Sequence, residues 1–444
     1  MIKRLMASVL TEAREKQRLV LLLGPRQAGK TTLALSQPDQ LPKSSIRSLD
    51  DLLLLAEIKR DSAPFLKSLA GPVILDDFHR ATELLVALDR HLESGQEHGP
   101  YLLVGATDLS LLPGPVGEVV QKAKVLTLWP LAQRELLGGS GSFIDDVFDP
   151  GFRLLPTRTR PALESRAAVI EAIVQGGYPE VLSRSNVSLR RTWFGTYLAN
   201  IMQRDVRDLN KVGELSVLIR LLIALAQDTG SLLNFAALSR AAGITQTTLK
   251  RYLRLLQAVF LVRLLPAWPG VGGKRLIRTP KVYLSDTGLA SHLLGLNPKG
   301  FESEPRRLQA LLENFVVMEL TKQAGWSRTA PRLHHWRTAS NQQVDLVLED
   351  SRGQMCGIKV KASERVEEKD RRELRVLADS VGDRFHRGYV VYLGADVVPF
   401  GDRLFAIPVS LLAGPGLPPA VIKPARTEPM NSLPPATLDL SRED

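Results

Sequence analysis

One segment of the chain reads Gly24-Pro25-Arg26-Gln27-Ala28-Gly29-Lys30-Thr31. It matches the pattern GxxxxGK followed by Ser or Thr at every fixed position, directly after the apolar run Leu19–Leu23 and before a helix-forming stretch. Glycines in such a loop let the backbone wrap around a phosphate, and the loop amides and the helix N-terminus favour its negative charge. The segment therefore predicts a phosphate-binding loop that joins a strand to a helix.

Side chains of this loop have expected roles toward the phosphates and the Mg²⁺ of a bound nucleotide. The Lys30 ammonium reaches the β- and γ-phosphates, and the Thr31 hydroxyl binds Mg²⁺. Further phosphate contacts are expected from the rest of the segment, at Gly24, Pro25, Arg26, Gln27, Ala28, Gly29 and Thr32. The predicted ligands are therefore ATP and Mg²⁺. The alternative is an ordinary glycine-containing turn, which the complete match disfavours.

Two later segments supply candidate catalytic groups. Val73-Ile74-Leu75-Asp76-Asp77 is an apolar strand that ends in two acids, so we expect Asp76 to hold Mg²⁺ and Asp77 to polarise the attacking water. The Thr107 hydroxyl follows the Tyr101–Val104 run and is a candidate for contact with the γ-phosphate. A threonine that caps a helix would explain Thr107 equally well. The predicted catalytic residues are Lys30, Asp77 and Thr107.

Apolar runs alternate with helix-length stretches over the first 137 residues. The runs are Leu19–Leu23, Ser45–Leu49, Val73–Leu75, Tyr101–Val104 and Val125–Leu128, and the helical stretches are Lys30–Leu35, Leu52–Leu69 and Thr82–Leu92. This alternation is typical of a parallel sheet covered by helices on both faces. The predicted fold class of residues 1–137 is therefore α/β.

The remaining chain divides by composition. Residues 138–164 are rich in Gly, Ser, Pro and Asp and are predicted to be a linker. Residues 165–296 are largely helical. Residues 297–413 are mixed, with a helix over Leu308–Gln323 and strands near His334–Arg337, Val344–Leu348, Gly357–Lys361 and Tyr389–Leu393. Residues 414–444 lack periodicity and are predicted to be disordered.

Composition excludes several classes of protein. With 444 residues, 44% hydrophobic and 24% charged, the chain is neither collagen-like nor wholly disordered. Its single cysteine, Cys356, cannot form an internal disulfide, which favours the reducing cytoplasm. No apolar run approaches the ~20 residues that span a bilayer, so no membrane partner is expected. The net charge of +11 is compatible with a polyanionic partner.

Most of that charge lies in one segment. Between Asp228 and Asp286 there is no acidic residue, whereas the basic residues are Arg240, Lys250, Arg251, Arg254, Arg263, Lys274, Arg275, Arg278 and Lys281. A helix, a turn at Gly243 and a second helix capped by Thr245 resemble a helix-turn-helix, with Leu261–Leu265 and Lys281–Leu284 as strands of a winged helix. Lys250, Arg251 and Arg254 would face outward and contact DNA. The alternative is a module that holds domains or subunits together.

The C-terminal region has part of a metal-dependent nuclease pattern. Glu313 on a helix, Asp345 on a strand and Lys361 on the next strand match the layout in which two acids hold a divalent metal and a lysine stabilises developing charge. However, Lys359 occupies the position of the second acid, and a cation there would repel Mg²⁺. We therefore predict a nuclease-like fold without cleavage activity, kept for packing or binding.

Together these segments resemble the bacterial and archaeal AAA-type P-loop ATPases that carry a C-terminal domain of unknown function, DUF4143. The resemblance extends from about Gln17 to Val398 and is carried by LLGPRQAGKTTL, PVILDDFHR, GGYPEVL, QRDVRDL, KRLIRTPKVYLSDTGL, ENFVVMEL and Trp336–Leu348. It implies ATP binding at Gly24–Thr31 and a winged helix followed by a nuclease-like domain. The resemblance leaves the cellular role open, and the function we predict is nucleotide-driven switching that regulates contact with DNA or a protein partner.

The chain departs from the family pattern where hydrolysis would be carried out. Asp77 replaces the usual glutamate, Val104-Gly105-Ala106-Thr107 replaces Thr-Gly-Ser-Ser, and Lys122 stands where the family has a candidate arginine finger. Gln343 and Lys359 replace acids of the nuclease-like site. These departures predict a slow ATPase. They also leave open a second class, a non-hydrolysing ATP-bound binding or scaffold module.

Overall fold

A computed structural model of the chain describes residues 2–36, 46–69, 72–93, 99–111, 115–151, 163, 165–206, 215–270 and 276–414. Its N-terminal part contains a five-stranded sheet in the order β2-β3-β4-β1-β5, with every neighbouring pair parallel. The strands are β1 (Leu19–Leu23), β2 (Ile46–Ser48), β3 (Val73–Asp76), β4 (Tyr101–Gly105) and β5 (Lys124–Thr127). The predicted α/β class is therefore confirmed for this part.

Helices cover both faces of this sheet. Alternate residues of β1 enter two different apolar clusters, with Leu21 and Leu23 in one and Val20 and Leu22 in the other. The helices are Met6–Lys16, Lys30–Leu35, Leu52–Arg60, Ser62–Ser68, Glu83–Glu93 and Pro115–Lys122. The single helix predicted over Leu52–Leu69 was wrong. Its backbone is extended at Asp61, whose carboxylate caps a second helix by accepting from the Ala63 N–H.

The segment predicted as a linker begins with ordered structure. It contains the helix Phe143–Phe148, capped by Ser142. The apolar side chains of this helix are buried in the core that the middle and C-terminal parts share. A short helix, Gln133–Leu136, precedes it. The linker prediction was therefore wrong over residues 143–148, because four of those six side chains are buried. Residues 152–162 lie outside the described part.

The middle part is helical, as predicted. Its helices are Arg166–Gln175, Pro179–Leu182, Val187–Gln203, Leu215–Gln227, Phe235–Ala242, Gln246–Ala258 and Thr287–Leu293. Gly243 has a left-handed backbone between two of them, and the Thr245 hydroxyl accepts from the Thr248 N–H at the start of Gln246–Ala258. The strands β6 (Val262–Leu265) and β7 (Lys281–Leu284) form an antiparallel pair.

The C-terminal part is a mixed sheet packed against helices, as predicted. The strand order is β12-β13-β11-β10-β9-β8, formed by β8 (Arg332–Arg337), β9 (Gln343–Glu349), β10 (Met355–Lys361), β11 (Phe385–Tyr392), β12 (Val398–Pro399) and β13 (Leu404–Pro408). Its helices are Gly300–Ser303, Pro305–Ala324 and Arg372–Val381. The sequence analysis did not identify Arg372–Val381, β12 or β13.

One apolar core runs through the middle and C-terminal parts, from Phe143 to Ala413. Cys356 is buried in it. Within the described ranges, no helix is long and apolar enough to cross a membrane. The predicted disordered tail lies outside the described residues, except for Gly414.

Candidate nucleotide site

Three strand ends bring the predicted nucleotide-site residues together. Strand β4 lies between β1 and β3, and all three run parallel. Their carboxyl ends therefore meet at one edge of the sheet, where ligands of open α/β sheets bind. The Gly24–Thr31 loop follows β1, Asp76 ends β3 and Thr107 follows β4. The structure thus brings the three predicted segments together at one edge of the sheet.

The loop needs its glycines. Gly24 has a φ of 146°, and a Cβ there would lie 2.1 Å from the Leu128 carbonyl oxygen. Gly29 has a φ of 92° immediately before the helix Lys30–Leu35. Both conformations are costly for residues with side chains. The backbone geometry therefore matches the tight turn that the motif predicts.

Lys30 is buried within the loop. Its ammonium donates to the carbonyl oxygens of Gly24 at 2.9 Å and Pro25 at 2.8 Å. Burial lowers the pKa of Lys30 to about 8, although the carboxylates of Asp76 and Asp77 oppose that shift. A poorly solvated ammonium beside the loop backbone is suited to bind phosphate oxygens.

Thr31 and Asp76 meet across the sheet edge. The Thr31 hydroxyl donates to Asp76 Oδ2 at 2.7 Å, and the other carboxylate oxygen accepts from the Asp77 N–H at 2.9 Å. A hydroxyl and a carboxylate oxygen side by side are ligands that Mg²⁺ prefers. These residues fit a nucleotide-bound magnesium ion.

Asp77 has an unusual backbone and a perturbed carboxyl group. Its φ is 53°, in the left-handed region that Asp tolerates better than most residues. Burial and the neighbouring Asp76 charge raise the pKa of Asp77. His79 Nδ1 lies 3.9 Å from Asp77 Oδ1.

Thr107 is completely buried, and its hydroxyl has no hydrogen-bond partner among the described residues. The helix-capping alternative for Thr107 is wrong, because Asp108 makes that contact: its carboxylate accepts from the Ser110 N–H at 3.1 Å. Asp108 also joins residues 1–137, called the nucleotide domain below, to the middle part, residues 165–296. Its N–H donates to the Ala258 carbonyl at 2.7 Å, at the end of Gln246–Ala258.

The ion-pair partners of Lys122 in this structure are not residues of the phosphate loop. Its ammonium lies 2.9 Å from Asp89 and 3.0 Å from Glu93, both on the helix Glu83–Glu93. This residue stands where the resemblance implied an arginine finger. Two acids on the adjacent helix hold its charge instead.

The sequence analysis missed Asp205 as part of the site. Arg26 Nε donates to both carboxylate oxygens of Asp205, at 2.8 and 2.7 Å. Asp205 belongs to QRDVRDL, a segment quoted only for its resemblance to the family. Because it lies 179 residues from Arg26 in the chain, no local spacing could have linked the two.

A cavity of about 470 Å³ opens beside the loop and is lined by Ala28, Gly29 and Thr32. Its walls are mainly apolar and come from the N-terminal segment, the loop helix and the middle part, including Ile2, Ala7, Leu33, Leu131 and Pro179. Arg4 fastens the N-terminal segment here by donating to the Ala28 carbonyl at 2.7 Å. The sequence analysis did not identify this cavity, since no motif marks residues 2–7.

The predicted DNA-contact residues lie on one exposed face. Lys250, Arg251 and Arg254 are exposed, while Leu249 and Leu253 on the same helix are buried in the core. Lys250 lies over the Phe235 ring and Arg251 over the Tyr252 ring. The predicted orientation of this helix is therefore confirmed.

The four residues of the predicted nuclease-like site share one cleft of about 530 Å³, lined among others by Glu313, Asp345, Lys359 and Lys361. A fifth residue decides its chemistry. Lys281 of β7 is 1% exposed, and its ammonium lies 2.7 Å from Glu313 Oε1 and 3.3 Å from Asp345 Oδ1. An internal cation thus stands between the two carboxylates.

The two predicted strand lysines have other partners. Lys359 donates to the Gln343 carbonyl at 3.2 Å and stays 3.9 Å from Asp345, while Lys361 is bonded to Asp370. The sequence analysis named Lys359 as the cation that would repel a metal. Lys281 lies closer than Lys359 to Asp345, so the structure adds a second cation to the one predicted at Lys359.

Burial affects the charges of this cluster in opposite directions. Burial and the Asp345 charge raise the pKa of Glu313. Burial alone would also raise the pKa of Asp345, but Lys359, Lys281 and the Val360 N–H outweigh it and hold that pKa below its usual value. For Lys281, burial opposes the protonated form, but the two carboxylates prevail and raise its pKa.

Comparison with known families divides the chain into three matched regions. Residues 16–137 match the family model described as AAA domain, residues 166–300 match a domain of unknown function, DUF8612, and residues 308–412 match another, DUF4143. The matched AAA region contains the whole parallel sheet and the phosphate loop.

Similar proteins include an uncharacterized protein of Mycobacterium bovis and one of Mycobacterium tuberculosis. Each is 28% identical over 415 residues, which is 92% of this chain and 84% of the relative. A solved Walker-type ATPase of Pyrococcus abyssi aligns with 66% of this chain and 96% of its own, at 15% identity and a TM-score of 0.42. The chain thus carries an N-terminal AAA domain and a C-terminal DUF4143 domain, the combination found in the AAA-type P-loop ATPases that it resembles.

Proposed function

We propose that the chain binds ATP with Mg²⁺ at the Gly24–Thr31 loop and hydrolyses it slowly. The observation that carries this proposal is the 2.7 Å contact between Thr31 and Asp76, next to a loop that encloses the Lys30 ammonium. In this arrangement the Lys30 ammonium would bind phosphate. The neighbouring oxygens of Thr31 and Asp76 would bind a divalent metal. Bound Mg²⁺ would neutralise charge on the terminal phosphates.

The adenosine end of ATP fits the cavity beside the loop. Its walls are mainly apolar, and it adjoins Ala28, Gly29 and Thr32 of the phosphate segment. Its volume of about 470 Å³ is in the range of small-molecule sites. Pro179 of the middle part also lines this cavity, so nucleotide binding would involve two parts of the chain.

Asp77 is the acid best placed to orient the attacking water, because it follows the metal ligand Asp76 at the same sheet edge. Its carboxyl group is held only partly exposed, with His79 on one side. A carboxylate one methylene shorter than the usual glutamate reaches less far toward the γ-phosphate. Slow turnover follows from this geometry.

Nucleotide state would be transmitted to the Gln246–Ala258 helix. Thr107, the candidate γ-phosphate residue, adjoins Asp108, whose N–H is bonded to Ala258 at the end of that helix. Phe260, two residues farther on, packs against Trp129 of the nucleotide domain with ring centres 5.5 Å apart. The helix whose exposed face holds Lys250, Arg251 and Arg254 is thus connected directly to the nucleotide site.

These contacts support ATP-driven regulation of a partner that binds the basic face. DNA fits the exposed positive charge and the helix, turn, helix and hairpin order of a winged helix. A protein partner with an acidic surface is the alternative. A chain that binds ATP without hydrolysing it would act as a scaffold instead.

Metal-dependent nucleic-acid cleavage is the less favoured alternative for the DUF4143 domain. The residues present do not fit a divalent metal, because the Lys281 ammonium already contacts both Glu313 and Asp345, and Lys359 adds a second cation 3.9 Å from Asp345. We therefore infer that this cleft serves domain packing.

Phosphate release from ATP by the purified full chain tests the proposal. We expect slow, Mg²⁺-dependent release together with saturable ATP binding. Saturable binding without release would favour the scaffold alternative. Absence of both would contradict the proposed function.

A further inference from the structure

Asp205 reaches the nucleotide site from a different part of the chain. It follows the helix Val187–Gln203, and its side chain is 2% exposed. Both of its carboxylate oxygens accept from Arg26 Nε, within the phosphate loop. The Asp205 carboxylate is buried and the Arg26 side chain is partly exposed, so removing Arg26 would leave a poorly solvated charge on Asp205.

His79 lies between this ion pair and the proposed catalytic acid. Its ring is buried, with Nε2 3.9 Å from Asp205 Oδ1 and Nδ1 3.9 Å from Asp77 Oδ1. The Ala106 N–H donates to Nδ1 at 3.4 Å, which leaves the proton of a neutral ring on Nε2, toward Asp205. Nε2 has no hydrogen-bond partner among the described residues.

His79 therefore touches three pieces of the site at once. Asp77 follows β3, Ala106 follows β4, and Asp205 comes from the middle part with Arg26 bound to it. At 3.9 Å, the contact from Nε2 to Asp205 is longer than a hydrogen bond. A small movement of the middle part toward the sheet would complete that bond.

We propose that Asp205 and His79 are positioning residues of the ATPase site. Asp205 fixes Arg26 in the phosphate loop, and His79 links the backbone after β4 to Asp205, with Asp77 packed beside its ring. The middle part thereby completes the site, and its position affects turnover more than nucleotide binding. This inference rests on the proposed function and deepens it.

Steady-state hydrolysis and equilibrium binding of a fluorescent ATP analogue by full-chain variants test the proposal. For Asp205→Asn and His79→Ala, we expect kcat to fall about tenfold while KM and the affinity for the analogue change less than about threefold. His79→Gln should recover part of the lost kcat, because an amide can accept from Ala106 and donate toward Asp205.

Arg204→Gln is the matched control. Arg204 adjoins Asp205 and also joins the middle part to the nucleotide domain, through an exposed 3.1 Å contact with Asp50. Its removal should leave kcat nearly unchanged. If Asp205→Asn and His79→Ala kept wild-type turnover, or lost kcat and affinity equally, the positioning roles would be overturned. The proposed ATP hydrolysis would stand. A wild-type chain without turnover would overturn the positioning roles together with the proposed hydrolysis.

Discussion

The Lys281 ammonium lies 2.7 Å from the Glu313 carboxylate, and this contact joins the middle part of the chain to the DUF4143 domain. The same ammonium also lies 3.3 Å from Asp345, so the cleft has its own cation. We expect the purified protein to leave supercoiled plasmid intact with Mg²⁺ or Mn²⁺, with or without ATP. Plasmid nicking by the wild type that disappears in Asp345→Ala would show that the cleft binds metal after all.

The contact between Lys281 and Glu313 predicts that replacing Lys281 destabilises the protein more than replacing Lys359. Lys281→Met would leave two buried carboxylates without their cation and should lower the free energy of unfolding by about 3 kcal/mol. Lys359→Met is the control, since Lys359 is partly exposed and farther from Asp345, and it should cost about 1 kcal/mol or less. Urea denaturation followed by circular dichroism measures both. Equal losses in the two variants would contradict the role assigned to Lys281.

Asp77 should limit the rate of hydrolysis. Asp77→Asn removes the carboxylate that directly follows Asp76, the proposed metal ligand, and should reduce phosphate release without loss of ATP binding. Asp77→Glu restores the usual length and should raise turnover. Unchanged turnover in Asp77→Asn would assign the water-orienting role to another residue.

DNA binding through the basic helix should be weak, tolerant of sequence and strongly dependent on salt. Changing Lys250, Arg251 and Arg254 together to Ala should lower the slope of log affinity against log salt by about 2–3, near 0.9 for each lost phosphate contact. Fluorescence anisotropy with a short duplex at several salt concentrations measures the slope. If it does not change, the basic face would be assigned to a protein interface.

The nucleotide loop could be predicted from sequence because its function depends on consecutive residues. Gly24, Lys30 and Thr31 act through spacing that a linear motif preserves, and β1 ends where the motif requires. The acids of β3 were predictable for the same reason, since an apolar run that ends in Asp76 and Asp77 must deliver them to the sheet edge.

Contacts between distant segments could not be predicted in this way. Asp205 and Arg26 are 179 residues apart, and Lys281 reaches Asp345 across 64. Both pairs depend on how the middle part packs against its neighbours. Lys281 was listed only as one of the basic residues of the segment without acids, whereas the fold buries it to 1% exposure beside two carboxylates. The break at Asp61 was missed because the apolar pattern continues across it.

Equilibrium binding of a fluorescent ATP analogue to wild type and to Lys30→Ala tests the central claim most directly. Lys30 provides the cation enclosed by the phosphate loop, so its removal should weaken binding at least about tenfold in the presence of Mg²⁺. Circular dichroism of the variant confirms that it is folded. Equal affinity of the two folded proteins would place the nucleotide outside Gly24–Thr31 and contradict the account.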